Sequence, residues 1–358
     1  MNKRIGVLTS GGDCPGLNAV LRGLVRAASN MEWEVIGFHD GFEGLLGDGI
    51  WEPLTLQRTA GIMHLGGTIL GTTNKGHFVA KIDSGSRTHV PRAAIEEARA
   101  TLYRLGVDAL VVIGGDGSLT TAQQLFEAGI PTIGVPKTFD NDLEATSMTF
   151  GFDSAVACVA DSLDRLHTTA SSHKRVMVIE VMGRHAGWIA LYGGLAGGSD
   201  IILIPEIPFD FEKVAQAIRT REAMGCLSSL IVVAEGARSR NGKEFIQERG
   251  GGEYKLGGIG EVVARETARR TGKETRTCVL GHLQRGGPPT TLDRILGTRF
   301  GVKAAELVNE RRFGQMVSYQ NEEVHSVPIA RAVHRLRLVP PRGQLVETAR
   351  AVGISFGD

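Results

Sequence analysis

The run "KRIGVLTSGGDCPGLNAVLRGLVRAAS", Lys3 to Ser29, sets the architecture of the chain. Arg4 to Thr9 reads as a short strand ended by a glycine turn. Beyond the turn, Leu17, Val20, Leu21, Leu24, Val25 and Ala28 recur at i, i+3, i+4, i+7, i+8 and i+11, the period of an amphipathic helix. Strand, glycine turn and helix together open a parallel α/β unit. The pattern returns in "DALVVIGGDGS" with its helix "LTTAQQLFEAG", closed by Gly129, and in "IPTIGVPKTFDND". It returns again in "KRVMVIEVMGRHAGW", "SDIILIPE", "SSLIVVAEGAR" and "TRTCVLGHLQRGG". These repeats share architecture without a fixed period.

The totals bound the function classes. A chain of 358 residues suggests two domains, since single cores seldom exceed about 250–300 residues. Net charge is +1, so nothing points to nucleic acid or a membrane surface as partner. No apolar run approaches the roughly 18 residues of a membrane span. The N-terminus has no signal-peptide pattern. Cys14, Cys158, Cys226 and Cys278 lie far apart with no C-x-x-C pair, which argues against a disulfide framework or structural zinc and for a reducing cytoplasm. Two stretches read as connectors, "KIDSGSRTHVPRA" and the Gly-rich run from Gly236 to Gly260, while the tail from about Arg335 is weakly patterned.

Polar residues gather where the strands end: Asp13, Asp116, Asp140, Asp142, Arg184, Glu235, His282 and Arg285. In open parallel sheets, ligands bind at those carboxyl ends. The glycines of "TSGGDCPGLN" let backbone N–H groups approach an anion at a helix N-terminus, although the same run serves equally as a tight turn. It is neither a Walker A loop nor a G-x-G-x-x-G fingerprint. In "IGGDGS", Asp116 between Gly115 and Gly117 suits Mg²⁺ on a polyphosphate, the plainer reading being a "DG" turn. In "PKTFDND", Asp140 and Asp142 lie two apart, so an extended segment points both the same way, and either could take a proton. Lys137 beside them is a phosphate cation or a surface lysine. Arg184, His282 and Arg285 suit a substrate phosphate, or singly a structural histidine and surface charges.

Taken in order, "TSGGDCPGLNAV", "GGTILGT", "GGDGS", "PKTFDND", "SSHKRVMVIEVMGRHAGW", "TRTCVLGHLQRGG" and "DRILGTRFG" resemble the phosphofructokinases over about residues 4 to 302. The resemblance implies two similar three-layer α/β domains with largely parallel sheets and an active site in the cleft between them. Residues 1–150 plus about 284–334 would form the donor domain. About 151–283 plus 335–358 would form the sugar-phosphate domain. It implies phosphoryl transfer to the 1-hydroxyl of fructose 6-phosphate in glycolysis. Asp140 matches the general base, with Asp142 beside it. Thr138 matches a contact to the sugar and the moving phosphoryl, and Asp116 the Mg²⁺ carboxylate. Gly12, Gly115, Gly117, Ser118, Asn74, Lys75 and Lys137 fall at the donor. Met182, Gly183, Arg184, Glu235, His282 and Arg285 match the sugar-phosphate site, with Arg184 counted among the catalytic residues as well. Arg175 and Arg276 match arginines that reach it from a neighbouring subunit, which implies a homo-oligomer, a tetramer or dimer.

The resemblance leaves the donor between ATP and pyrophosphate. Gly117 is the nucleotide-permitting choice, whereas Lys137 accompanies pyrophosphate use. The steric marker favours ATP, with Lys75 or Lys137 replacing a missing donor-site arginine. Phe42 and Thr121 depart from the bacterial ATP pattern. Arg22 and Arg26 remain from the effector pocket while His167 replaces an arginine, which implies weak or altered control by ADP and phosphoenolpyruvate. A catalytically inactive sugar-phosphate sensor is the reading from another class.

Overall fold

The computed structural model describes residues 3–73, 76–78, 82–83, 86–87, 89–240, 246–249, 253–256 and 258–358. Strand Lys3–Thr9 lies between Trp33–Phe38 and Ala109–Gly114, parallel to both. Thr132–Pro136 and then Gln315–Gln320 extend the sheet in parallel, and antiparallel Trp51–Pro53 and Glu323–Pro328 close the edges of seven strands. Ala109–Gly114 and Thr132–Pro136 are buried at every position, which is why they read as unbroken apolar runs rather than alternating ones. From Lys3–Thr9 the chain steps first to one side of the sheet and later to the other. That reversal opens a crevice at the carboxyl ends of Lys3–Thr9 and Ala109–Gly114.

A second sheet has four strands, all parallel, in the order Thr275–Val279, Val176–Val181, Ser229–Ala234 and Ile201–Leu203. Here the reversal falls between Thr275–Val279 and Val176–Val181. The chain divides into two compact units: Met1–Phe139 with Leu143–Ser154 and Arg285–Leu336, and Asp140–Asp142 with Ala155–Gln284 and Arg337–Asp358. The first holds a core around Leu8, Ile36, Phe38, Leu110 and Val112. The second holds one around Val176, Val178, Leu203, Ile231 and Val233.

Two expectations change. The stretch Gly236 to Gly260, read as a connector, contains an antiparallel pair, Ile246–Arg249 with Glu253–Leu256, and the start of helix Ile259–Thr271. The weakly patterned tail is ordered: Ile202 N donates to Ser355 O at 2.9 Å and Asp210 N to Gly357 O at 2.7 Å, so it extends the second sheet by backbone bonding that needs no side-chain period.

Helix Leu17–Asn30 packs on helix Thr291–Asn309 at backbone contact. A Cβ at Gly23 would stand 2.6 Å from the Thr298 carbonyl oxygen, and one at Gly301 would run into the Val20 carbonyl. This is the physical content of the glycines in "DRILGTRFG". The same helix starts with a stitch. Thr290 caps it, accepting from Asp293 N at 3.4 Å, and donates its hydroxyl to Asp153 at 2.6 Å. Asp293, fully buried, accepts from Ser154 N at 2.8 Å and Ser154 Oγ at 2.6 Å.

Burial pushes the Asp293 carboxyl up to about 6, against the pull of the Ser154 bonds. Because this value lies above that of the unfolded chain, the folded state favours the protonated form. The stabilising contribution is full below the unfolded value and is lost as pH rises through about 6. Asp293→Asn keeps an acceptor for Ser154 and cannot ionise. It should therefore gain stability relative to the parent between pH 4 and 7, by up to about 3 kcal/mol. Urea unfolding at several pH values checks this; a parent–variant difference that does not change with pH would refute it.

Candidate active site

The first crevice is built from glycine turns. Ser10 N donates to Ile113 O at 2.9 Å, which ties the turn after Lys3–Thr9 to the neighbouring strand. Gly11 adopts a left-handed backbone, φ 81°, and donates its N–H to Thr73 O at 3.1 Å. On the other side, helix Asp116–Glu127 begins directly at the strand end, with Gly115 as N-cap. Its first-turn N–H groups, those of Gly117 and Ser118 among them, have no partner within the helix. A Cβ at Gly114 would collide with the Ser118 side chain, whose Oγ meets Ser10 Oγ at 3.0 Å. Gly117 has nothing within 4 Å of where its Cβ would stand.

These turns surround a cavity of about 200 Å³ lined by Ser10, Gly11, Gly12, Phe42, Glu43, Thr73, Phe78, Gly115, Asp116, Gly117, Ser118, Thr121 and Lys137. Gly12, Gly115, Gly117, Ser118, Lys137 and Asp116, all singled out from sequence, thus meet here. Asn74 and Lys75 lie outside the described residues. Phe42 stacks on Phe78, centroids 5.4 Å apart, and Thr121 Oγ1 donates to Phe78 O at 3.2 Å. Phe78 and Thr73 come from connectors and Glu43 from the short 3-10 helix Gly41–Leu45, and none of the three carries a local sequence signal. Lys137 is buried with its ammonium donating to Gly12 O. Asp116 sits in the first helical turn, where a carboxylate is also favoured by the helix dipole.

Arg285 lies in this first unit, against the Gly12 loop. It donates to Asp13 O at 3.0 Å and covers the face of Phe139 at 4.1 Å. Cys14 is fully buried, its thiol directed at Phe150 O. Burial pushes that thiol up to about 12 despite the opposing charge of Lys137. Thr138, also buried, accepts at its carbonyl from Thr149 Oγ1.

The acidic turn differs from expectation in one respect. Asn141 has φ 53°, so the backbone between Asp140 and Asp142 is left-handed rather than extended, and the two-residue alternation does not carry across it. Asparagine tolerates this conformation better than most residues, because its short amide can bond locally.

In the second unit, Met182, Gly183 and Arg184 follow strand Val176–Val181, Glu235 follows Ser229–Ala234, and His282 follows Thr275–Val279. Glu235 N donates to Val181 O at 2.8 Å, and Gly236 N to Gly183 O at 3.1 Å. Gly183 is left-handed at φ 132°, and a Cβ on Gly236 would strike the Arg184 carbonyl. Gln284, unremarked in the sequence, joins the turns: Oε1 accepts from Met182 N at 3.3 Å, and Nε2 donates to Gly281 O at 3.0 Å. Arg184 and His282 stand exposed. Arg175 and Arg276 converge on one carboxylate, Glu274, at 2.8 and 2.6 Å. His167 meets Gly197 O at 2.8 Å.

A family model described as Phosphofructokinase matches residues 4–308. The chain is 52% identical over 356 residues to the ATP-dependent 6-phosphofructokinase of Chloroflexus aggregans, covering 99% of this chain and 98% of that one. It is 48% identical over 344 residues to the pyrophosphate–fructose 6-phosphate 1-phosphotransferase of Amycolatopsis methanolica, covering 94% and 96% of the two. Among solved structures, phosphofructokinase from Saccharomyces cerevisiae matches 93% of this chain with a TM-score of 0.79 at 31% identity, and this chain spans 45% of that one.

Gly12 and Arg285 offer a direct test of the loop. A Cβ at Gly12 would occupy the position of the Arg285 guanidinium. Gly12→Ala should therefore expel Arg285 from Asp13 and Phe139 and cost about 1–2 kcal/mol of stability. In the Arg285→Ala background the same change should cost close to nothing. A double-mutant unfolding cycle reads the coupling, and additive costs would contradict the contact.

Proposed function

The chain belongs to the phosphofructokinase family, and from that premise we propose that it moves the terminal phosphoryl group of ATP to the 1-hydroxyl of fructose 6-phosphate. The products are fructose 1,6-bisphosphate and ADP. The observation that carries this reading is the cavity at the first crevice, where glycine turns and a helix N-terminus adjoin the stacked Phe42 and Phe78. Backbone N–H groups at a helix N-terminus suit phosphates. An aromatic wall suits a nucleoside and has no use for bare pyrophosphate.

In the proposed reaction Asp140 accepts the proton of the sugar 1-hydroxyl as its oxygen bonds to phosphorus. The bond from phosphorus to the bridging oxygen breaks, and ADP leaves with the electron pair. Such transfers depend mainly on positioning and charge neutralisation. Gly12, Gly115, Gly117 and Ser118 would cradle the donor phosphates, Lys137 would add a cation, and Thr138 and Asp142 would flank the reacting oxygens. Asp116 is the proposed carboxylate for Mg²⁺, which would neutralise phosphate charge when bound. One carboxylate fits, since Mg²⁺ is commonly held by one or two carboxylates plus substrate phosphates. No group of three or more His, Cys, Asp or Glu able to hold a metal occurs among the described residues.

For the sugar phosphate we assign Met182, Gly183, Arg184, Glu235 and His282, which share the strand ends of the second sheet, together with Arg285. Arg175 and Arg276 are proposed to serve a neighbouring copy in a homo-oligomer, dimer or tetramer. Apolar Val279 and Leu283, 55% and 68% exposed on and just after the strand that carries Arg276, support such an interface. Cytoplasmic placement is supported by the free thiols of all the cysteines. Among the described residues no helix is long and apolar enough to cross a membrane.

Pyrophosphate as donor is the second reading, favoured by Lys137 in the cavity wall. Assays of fructose 6-phosphate phosphorylation with each donor separate the two. Gly117→Asp has room in the protein and places a carboxylate in the first turn of a helix, so folding should be unharmed. It should suppress turnover with ATP, and unchanged ATP kinetics would sink the steric argument. Asp140→Asn should lower kcat by about 10²- to 10⁴-fold with sugar-phosphate binding retained; undiminished turnover would remove Asp140 as the base.

A further inference from the structure

The segment that follows the family match contributes an arginine to the acidic turn. Leu336 pairs with Leu143 in an antiparallel bridge. One residue on, Arg337 N donates to Asp142 O at 2.8 Å, and Arg337 Nη1 donates to Asn141 O at 3.3 Å. Both carbonyls that follow Asp140 are therefore held by one residue. The guanidinium lies 4.3 Å from the centre of the Trp188 ring, and Trp188 Nε1 returns a bond to Arg337 O at 2.9 Å. Glu206 fixes both supports, accepting from Gly187 N at 3.0 Å and from Val339 N at 2.8 Å.

This arrangement has a purpose that simple chain packing does not require. The turn it grips carries Asn141 in a left-handed conformation between the two aspartates. A backbone held there aims its carboxylates only while something fixes it. Arginine meets the need through a planar fork that can stack on an indole and donate sideways at once, which a lysine cannot do. We propose that Arg337, braced by Trp188, is a positioning residue for the proton acceptor Asp140. This rests on the reading of Asp140 as the base. Arg337 acts through the backbone of Asn141 and Asp142 and needs no contact with substrate.

The test compares the full-length parent with Arg337→Met, Arg337→Lys and Trp188→Phe. Steady-state kinetics are measured with fructose 6-phosphate and either donor, alongside amide hydrogen exchange. Misplacing a base by about 1 Å costs on the order of 10²-fold. Arg337→Met should accordingly lower kcat by about 10- to 100-fold, with KM for fructose 6-phosphate within about twofold of the parent. Exchange should quicken across residues 139–143 with the rest of the sheet unaffected. Arg337→Lys should recover only part of kcat, and Trp188→Phe should lose a smaller factor in the same direction. A kcat within about twofold of the parent in both Arg337→Met and Trp188→Phe overturns the proposal, as does unaltered exchange at 139–143. A parent that phosphorylates the sugar with neither donor sinks the functional reading instead. The exchange comparison still decides whether Arg337 holds the turn, because it needs no turnover.

Discussion

Two helices can touch backbone to backbone only where side chains are missing, and the first unit is closed by such a contact. Gly23 and Gly301 let helix Leu17–Asn30 settle against helix Thr291–Asn309. That seating holds a segment almost three hundred residues downstream within the first unit and brings strand Gln315–Gln320 to Thr132–Pro136. It also fixes the start of helix Leu17–Asn30, and with it the aim of the Gly11–Gly12 turn. Any side chain at these glycines would force the helices apart and tilt the Gly11–Gly12 loop, although none of the glycines involved in the crossing lines the cavity.

The architecture was legible in the sequence because it rests on local signals that are hard to counterfeit. Strands buried on both faces must be continuous apolar runs, and helices covering them must repeat near 3.6 residues. The glycines at the ends of Lys3–Thr9 and Ala109–Gly114 announced close backbone approach, and the structure gives the reason at Gly114, which faces Ser118. What strand order adds is the crevice. Sequence shows that polar residues follow strands; only the reversal of strand order decides which two strand ends face a common opening.

Other parts of the site were not legible, for equally physical reasons. Phe78 and Thr73 reach the cavity on connectors, and Glu43 on a single short 3-10 helix, whose paths no periodicity dictates. Asn141 looked extended because it lies between strand-like residues, and a single left-handed residue leaves almost no mark in composition. Arg337 lay in a tail that bonds mainly through its backbone, so side-chain patterning had nothing to report. Gln284 passed unnoticed because a glutamine that ties two turns together resembles a surface glutamine in every local respect.

The buried thiol of Cys14 has a consequence for durability. Oxidants attack the thiolate, and burial pushes this thiol up to about 12, which disfavours that anion at neutral pH. A cysteine next to Asp13 and within the field of Lys137 would, if exposed, be open to oxidation. Packed against Gly151 and Phe150 and fully buried, its thiol is shielded from solvent. Oxidation should therefore fall on exposed Cys226 before it reaches buried Cys14.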